Sequence, residues 1–369
     1  MGNETDLRIL IVDDTILYRK VVSDVLGELP GVIVVGSAHN GKAALGKIAN
    51  LKPDLLILDI EMPEMDGLEV LRRMAKDAPT VGALMLSAHT EEGSDATLKA
   101  MELGAFDFIS KPQNNNLKDN RDELKKSLAP ILKAFARHRD VRRILKGVGP
   151  KEIRDQPKAA LQRPRIHSVG TTVVQHRSKI VAIGISTGGP VALAHFLPEM
   201  PAKLGVPLLI AQHMPPIFTA SLAKNLDRRC AITVKEAVDG EEILPNTAYI
   251  APGGQQMKVA HERFKNIKMI RITDDPPENG CTPSADYLFR SVAKHFGGSA
   301  TGVIMTGMGA DGAKGLQLMK EKGAAIIAQD EATSVVFGMA KKSIEAGVVD
   351  LVAPIEQIAE HIRRTIVRC

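Results

Sequence analysis

The stretch Leu7-Arg8-Ile9-Leu10-Ile11-Val12-Asp13-Asp14 decides how the first third of this chain is read. An apolar run of strand length ends on two adjacent carboxylates, and helical spacing follows over residues 15–29. Further apolar runs fall at 32–35, 55–58, 81–86 and 106–109. Amphipathic stretches near 42–52, 68–76 and 96–103 separate them, and a fifth begins near Leu117. Five short strands alternating with five helices predict a doubly wound parallel sheet. Chemistry in such sheets gathers beyond the carboxyl ends of the strands.

The residues at those ends are chemically coherent. The first strand runs into Asp13 and Asp14, the third into Asp59, the fourth into Ser87, and the fifth reaches Lys111-Pro112. Three converging carboxylates repel one another and favour a hard divalent cation with oxygen ligands, Mg²⁺ before others. A lysine and a hydroxyl beside them suit a carboxylate acting as nucleophile on a phosphoryl donor.

Over residues 7–125 the chain resembles a response-regulator receiver domain, a flavodoxin-like fold. The resemblance rests on Val12-Asp13-Asp14, Leu58-Asp59-Ile-Glu-Met-Pro-Glu-Met-Asp66-Gly67, Ser87-Ala88 and Lys111-Pro112. It implies that Asp59 is the phosphoacceptor. It also implies that Asp13, Asp14, Asp59 and the backbone carbonyl of Glu61 hold Mg²⁺. Ser87 and Phe108 take the switch positions beside Lys111, and the bond before Pro112 is expected to be cis. His89 departs from the apolar residue common at its position and is read as a solvent-facing loop difference.

Net charge sharpens the organisation. The chain carries +5 overall, but residues 1–116 sum to −7, residues 117–165 to +9 and residues 166–369 to +3. The excess is confined to a helical segment interrupted by Pro130, read as a kink or break, and to a Pro-, Gly- and Arg-rich stretch without apolar period. Residues 126–177 are therefore expected to form a helical and basic linker. Its charge serves a solvated tether or contact with an acidic partner. With no Trp and 3% aromatic residues, there is little with which to stack bases. No nucleic-acid partner is expected.

The uncharged stretches 181–198 and 204–223 are broken by Gly, Pro, Gln and His, which argues against a membrane span. Three widely spaced cysteines, Cys230, Cys281 and Cys369, and no apolar signal core after Met1 point to a cytoplasmic setting.

From Ser178 the alternation of strand and helix restarts. Strand-like runs lie at 180–185, 207–211, 232–234, 248–250, 268–272, 302–305, 324–328 and 351–352. This predicts a second, Rossmann-like parallel domain over 178–369. Its first run ends at Ser186-Thr187-Gly188-Gly189-Pro190, its second at His213, and the run 302–305 leads to Thr306-Gly-Met308-Gly309-Ala-Asp311-Gly312. Parallel strands would bring a serine, a histidine and an aspartate to one edge, the material of a nucleophile, a base and an orienting carboxylate.

Each residue also has a plainer reading. Ser186 in a Gly-rich turn suits an N-cap or a phosphate binder, although the Gly-Lys-Ser/Thr ending of a P-loop is missing. His213 alone suits a structural role, and Asp311 a helix cap. The Gly-x-Ser-x-Gly elbow of α/β-hydrolases is absent.

Residues 178–369 are similar to the catalytic domain of the CheB family of chemotaxis protein-glutamate methylesterases. The matching pieces are Gly184-Ile-Ser186-Thr-Gly-Gly-Pro190, Gln212-His213-Met-Pro-Pro216, Tyr249-Ile-Ala-Pro-Gly-Gly254, Pro283-Ser284-Ala-Asp286, Thr306-Gly-Met-Gly309 with Asp311-Gly312, and Ala328-Gln-Asp330-Glu331. The resemblance implies Ser186 as nucleophile, His213 as base and Asp311 as its orienter, with backbone N–H groups around Met308 and the Ser186 turn as oxyanion candidates and no cofactor for ester hydrolysis.

It further implies demethylation of glutamate methyl esters on chemoreceptors and deamidation of receptor glutamines. Control would come from a chemotaxis-type histidine kinase, and the membrane would be met only through receptors. Activity is expected to be low while the receiver covers the Ser186 edge, and phosphorylation of Asp59 to relieve that. Cys281 departs from relatives and is read as a rim or packing residue rather than a second nucleophile, since no basic partner adjoins it. Two rivals remain. One is a DNA-binding response regulator, which would need a helix-turn-helix. The other is a receiver-controlled esterase acting on a non-chemotaxis receptor-like protein.

Overall fold

The structure, a computed structural model, describes residues 6–88, 90–112, 116–145, 177–262, 264 and 266–366. His89, residues 146–176 of the basic stretch and Cys369 lie outside the described residues. The chain divides into two units, Met1–Lys151 and Glu152–Cys369, each with its own parallel sheet.

In the first unit the elements are β1 Leu7–Val12, α1 Ile16–Gly27, β2 Val32–Ala38, α2 Gly41–Leu51, β3 Leu55–Asp59, α3 Gly67–Asp77, β4 Gly82–Ser87, α4 Glu91–Glu102, β5 Asp107–Ser110 and α5 Leu117–Leu145. The sheet order is β2-β1-β3-β4-β5, with each pair parallel. Ile9, Leu10, Ile11 and Val12 of β1 and Leu55 to Leu58 of β3 are completely buried. Strands apolar on both faces need helices on both faces, which is why the sheet is parallel and doubly wound. The chain leaves β1 on one side to form β2 and returns on the other to form β3. The carboxyl ends of β1 and β3 therefore flank the crevice where such folds bind ligands.

The last helix excludes a break at Pro130. Pro130 lies inside α5, which continues through it. Proline costs a helix one hydrogen bond, but packing holds both halves. Leu124 and Leu128 before it, and Leu132 and Phe135 after it, are buried. The Phe135 ring meets Phe106 edge-on at 5.1 Å, and Arg139 pairs with Asp54 at 2.9 Å. Helix α5 thus packs as part of the first unit well past residue 125.

A second expectation is corrected nearby. Among the described residues the cis peptide bond is Thr282–Pro283, and Lys111–Pro112 is not cis. Trans is favoured before proline by about 0.5–1 kcal/mol. The Lys111 backbone N–H still reaches the Ser87 carbonyl at 2.8 Å without the isomerisation.

The second unit contains β6 Ile180–Ile185, α6 Gly189–Phe196, β7 Leu208–Gln212, α7 Phe218–Asp227, β8 Thr233–Glu236, β9 Thr247–Ile250, β10 Gln256–Glu262, β11 Ile267–Thr273, α8 Ala285–Phe296, β12 Ala300–Ile304, α9 Ala313–Glu321, β13 Ala325–Gln329, α10 Met339–Glu345, β14 Leu351–Ala353 and α11 Ile355–Thr365. Seven strands form one parallel sheet in the order β14-β13-β12-β6-β7-β9-β8. The chain crosses from the β7 side to the β12 side of β6, so the ends of β7, β6 and β12 adjoin at one edge.

The run at 268–272 was expected among the parallel strands. It pairs instead with β10 in a separate antiparallel hairpin. Met257 and Val259 of β10 are buried while Lys258 and Ala260 are only half-buried. That two-residue period belongs to a sheet with one covered face.

Candidate functional site

The second unit builds its site at the carboxyl edge. Strand β6 delivers Ser186, whose backbone N–H donates to the Thr306 carbonyl at 3.0 Å. The Ser186 carbonyl accepts from Gly189 N–H at 2.7 Å and from Gln212 Nε2 at 3.1 Å. Gly188, at φ +77°, caps α6 without side-chain help, so Ser186 is not its N-cap. A β-carbon on Gly307 would lie 2.7 Å from the Ser186 Cβ. Only glycine lets the loop after β12 pass that close to the serine.

Strand β7 delivers His213, whose backbone N–H donates to Ile185 at 3.0 Å. Its Nε2 lies 2.8 Å from Asp311 Oδ2. Asp311 is 2% exposed and gathers donors. Its Oδ1 accepts from Ser284 Oγ at 2.8 Å, from Asn279 Nδ2 at 2.8 Å and from Asp286 N–H at 3.2 Å. Its Oδ2 also accepts from Ala285 N–H at 2.6 Å. Ala285 opens α8, so the helix N-terminus aims its unpaired N–H groups at the carboxylate. Burial works against the charge, but the His213 hydrogen bond and charge, the Ala285 N–H and Asn279 outweigh it and hold the Asp311 carboxyl at about 2.

The same pairing acts on the base. Burial disfavours the imidazolium, yet hydrogen bonds to Asp311 and Cys281 and their charges outweigh it and lift His213 above the usual imidazole range.

Cys281 corrects the sequence reading. Its Sγ lies 3.5 Å from His213 Nδ1, so a basic partner does adjoin it, brought by the fold rather than by sequence proximity. Among the described residues no hydrogen bond joins the Ser186 hydroxyl to His213. Met308 lies between Gly307 and Gly309, the latter at φ +87°, and its N–H has no acceptor among the described residues. Asn279 and Ser284 carry functional contacts that sequence reasoning left without roles. Their signals were an Asn-Gly turn and a serine at a helix start.

The first unit gathers its acids at the β1–β3 crevice. Asp13 is buried and Asp14 exposed, and Asp13, Asp14 and Asp59 each bring a carboxylate oxygen within 4.8 Å of the others. Lys111 Nζ lies 2.7 Å from Asp59 Oδ2 and 2.8 Å from Asp13 Oδ2. Burial raises the Asp59 carboxyl, Lys111 lowers it, and Asp13 and Asp14 raise it further, to about 6. Burial disfavours the Lys111 charge, but its two carboxylates raise it above the usual lysine range.

Apart from the lysine, Asp13 Oδ2 is a buried oxygen with no partner. An acid cluster with an open lone pair fits a hard cation such as Mg²⁺. The Glu61 side chain is exposed in the turn after β3. Ser87 is fully buried, and its hydroxyl donates to the Gly93 carbonyl at 3.1 Å and accepts from Thr97 Oγ1 at 2.6 Å, so it is turned toward α4. Phe108 is half-buried beside the receiver core.

A doubly wound domain with an acid cluster and a lysine at its crevice, followed by an α/β domain with a His–Asp pair at its strand edge, defines a response regulator with an enzymatic output. Family models agree: the response regulator receiver domain matches residues 9–120, and CheB methylesterase matches residues 181–362. The chain belongs to the CheB methylesterase family. A protein-glutamate methylesterase/protein-glutamine glutaminase of Desulfotalea psychrophila is 52% identical over 98% of this chain and 99% of that protein. One of the same description from Trichodesmium erythraeum is 42% identical over 97% of this chain and 99% of that protein. The crystal structure of the Thermotoga maritima CheB methylesterase catalytic domain is 40% identical, with a TM-score of 0.50. It covers 51% of this chain and 99% of that one. Among the described residues no helix is long and apolar enough to cross a membrane.

Proposed function

We propose that this chain is a protein-glutamate methylesterase and protein-glutamine glutaminase acting on chemoreceptors, with Ser186 as nucleophile and Asp59 as the phosphorylated switch. The observation that carries the reading is the half-buried His213 paired with the buried Asp311, 2.8 Å apart, at the strand edge that also delivers Ser186. His213 Nδ1, the nitrogen not committed to Asp311, takes the serine proton as Oγ attacks the ester carbonyl. Met308 N–H faces the developing oxyanion. His213 returns the proton to the leaving methanol, or to ammonia from an amide. Water then repeats the sequence and releases glutamate. Asp311 keeps the imidazole in the tautomer with Nδ1 free and stabilises its charge.

In the first unit Asp59 attacks the phosphoryl donor, supplied by a chemotaxis-type histidine kinase, and Lys111 offsets the added charge. Asp13, Asp14, Asp59 and the Glu61 carbonyl would hold Mg²⁺, which supplies charge neutralisation at the phosphoryl oxygens. To reach the phosphoryl group, the Ser87 hydroxyl has to leave Gly93 and Thr97. That loosens α4 near Phe108 and raises esterase activity.

The test compares wild type, Ser186→Ala and Asp59→Asn on methylated and amidated receptor fragments, with and without acetyl phosphate and Mg²⁺. Ser186→Ala should lose about 10⁴-fold or more of kcat on both substrates. Asp59→Asn should keep the basal rate and ignore acetyl phosphate. Full hydrolysis by Ser186→Ala would sink the catalytic assignment, and a response by Asp59→Asn would sink the switch.

A further inference from the structure

The loop before α8 carries two side chains to the His–Asp pair from one tight turn. Glu278 and Cys281 exchange both backbone hydrogen bonds, at 3.2 and 2.8 Å. Between them Asn279 and Gly280 stand at φ 52° and 75°. Two successive positive φ angles make a type I′ turn, which an Asn-Gly pair adopts readily. The Arg290 guanidinium forks onto the Glu278 carboxylate and clamps the turn to α8. The turn aims Asn279 at Asp311 on one side and Cys281 at His213 on the other.

The consequence is that one imidazole nitrogen serves two nucleophiles. Nε2 is committed to Asp311, so Nδ1 is the atom that takes a proton from Ser186, and it is also the atom 3.5 Å from the Cys281 sulfur. A thiol sulfur, unlike a serine hydroxyl, can be oxidised, and an imidazole nitrogen within contact can take its proton as the sulfur reacts. Cys281 is half-buried rather than sealed. Cys230, also half-buried, has no imidazole partner among the described residues, and burial pushes its thiol up to about 11. The protein therefore holds an internal comparison between a cysteine beside an imidazole and one without.

We propose that Cys281 is a site of reversible oxidation by hydroperoxides, and that its sulfenic acid blocks the esterase by capping His213 Nδ1. With hydrogen peroxide the thiolate attacks one peroxide oxygen and an S–O bond forms. The O–O bond breaks, sulfur loses two electrons, and the leaving hydroxide takes the imidazolium proton to become water. The added oxygen stands against Nδ1, where the Ser186 proton must go. A small thiol reverses the change: two thiol equivalents reduce the sulfenic acid to the thiol, giving one disulfide and water. The loss-of-activity part rests on His213 being the base for Ser186, as proposed above, whereas the reactivity part does not.

The experiment treats the full chain with hydrogen peroxide; one aliquot is trapped with dimedone and mapped by peptide mass spectrometry, and a second, without dimedone, is followed for receptor demethylation. Iodoacetamide labelling of Cys281, Cys230 and Cys369 peptides is timed in parallel. Expected are dimedone on Cys281, labelling of Cys281 at least tenfold faster than of Cys230, and loss of most activity restored by dithiothreitol. Cys281→Ala should keep its own untreated rate under the same peroxide dose. His213→Gln should slow Cys281 labelling at least tenfold, a readout independent of hydrolysis.

Equal labelling of Cys281 and Cys230, or no effect of His213→Gln on it, would overturn the thiol–imidazole pair. Fast Cys281 labelling with full esterase activity would overturn the capping. If Ser186→Ala meanwhile retained hydrolysis, the fault would lie in the catalytic assignment rather than in the thiol.

Discussion

Asp59 and Asp311 are the same residue type, both buried, both at the carboxyl edge of a parallel sheet, and they are driven in opposite directions. Asp59 stands beside Asp13 and Asp14 with one lysine between them, and burial plus its neighbours' charge lifts it to about 6. Asp311 suffers burial as well, yet His213, two backbone N–H groups, a serine hydroxyl and an asparagine amide surround it, and it falls to about 2. The first site is left short of positive charge, which suits the cation and phosphoryl group proposed for it. The second is saturated with donors, so it holds an anion permanently and spends it on orienting one imidazole.

The most severe way to break this contrast is Asp311→Asn. The amide would turn an NH₂ toward a site built of donors, and His213 would lose both its anionic partner and its fixed tautomer. Demethylation should fall about 10⁴-fold in kcat, with the fold checked by circular dichroism. A folded variant within tenfold of wild type would remove Asp311 from the mechanism.

A gentler change imports the logic of the first site into the second. Asn279 Nδ2 donates at once to Asp286 Oδ2 at 2.9 Å and to Asp311 Oδ1 at 2.8 Å. Burial already raises the Asp286 carboxyl, so the amide separates two acids that would otherwise repel. Asn279→Asp would put a third carboxylate there and recreate a cluster like that of Asp13, Asp14 and Asp59. The Asp311 carboxyl should rise, and kcat should drop about 10–100-fold at neutral pH. The loss should deepen as pH falls, because the raised Asp311 carboxyl takes a proton earlier than in wild type, whereas Asn279→Ser should lose less. Equal pH profiles for Asn279→Asp and wild type would show that the amide only fills space.

These differences were unequally legible in the sequence. The acids Asp13, Asp14 and Asp59 and the lysine Lys111 each follow an apolar run of strand length. Strand periodicity plus the parallel-sheet rule brings them together, as it does His213 and Asp311. Asn279, Ser284 and Cys281 belong to a loop between a hairpin and a helix. Their contacts depend on a turn with two positive φ angles and on where α8 packs against β6. Periodicity carries no information about either. The β10 strand was missed because its burial alternates, and Pro130 was read as an interruption because local propensity was weighed without the core contacts of Leu128 and Leu132.

The smallest expected effect tests the charge contrast through stability. Asp59 has its carboxyl raised, so the folded protein holds a proton that the unfolded chain releases between about pH 4 and 6. Its contribution is therefore lost as pH rises through that window, and above it the ionised group costs about 2–3 kcal/mol. Asp311 has its carboxyl lowered, so its contribution is complete above about pH 4 and is lost as pH falls toward 2. Asp59→Asn removes only the first effect. In urea unfolding, the variant's advantage over wild type should therefore grow by about 2 kcal/mol between about pH 4.5 and 7. Millimolar Mg²⁺ should shrink that growth, because a cation offsets the carboxylate charge that wild type carries and the variant lacks. An advantage unchanged between the two pH values would mean that Lys111 alone already balances the cluster and that the site has no charge deficit for a cation to fill.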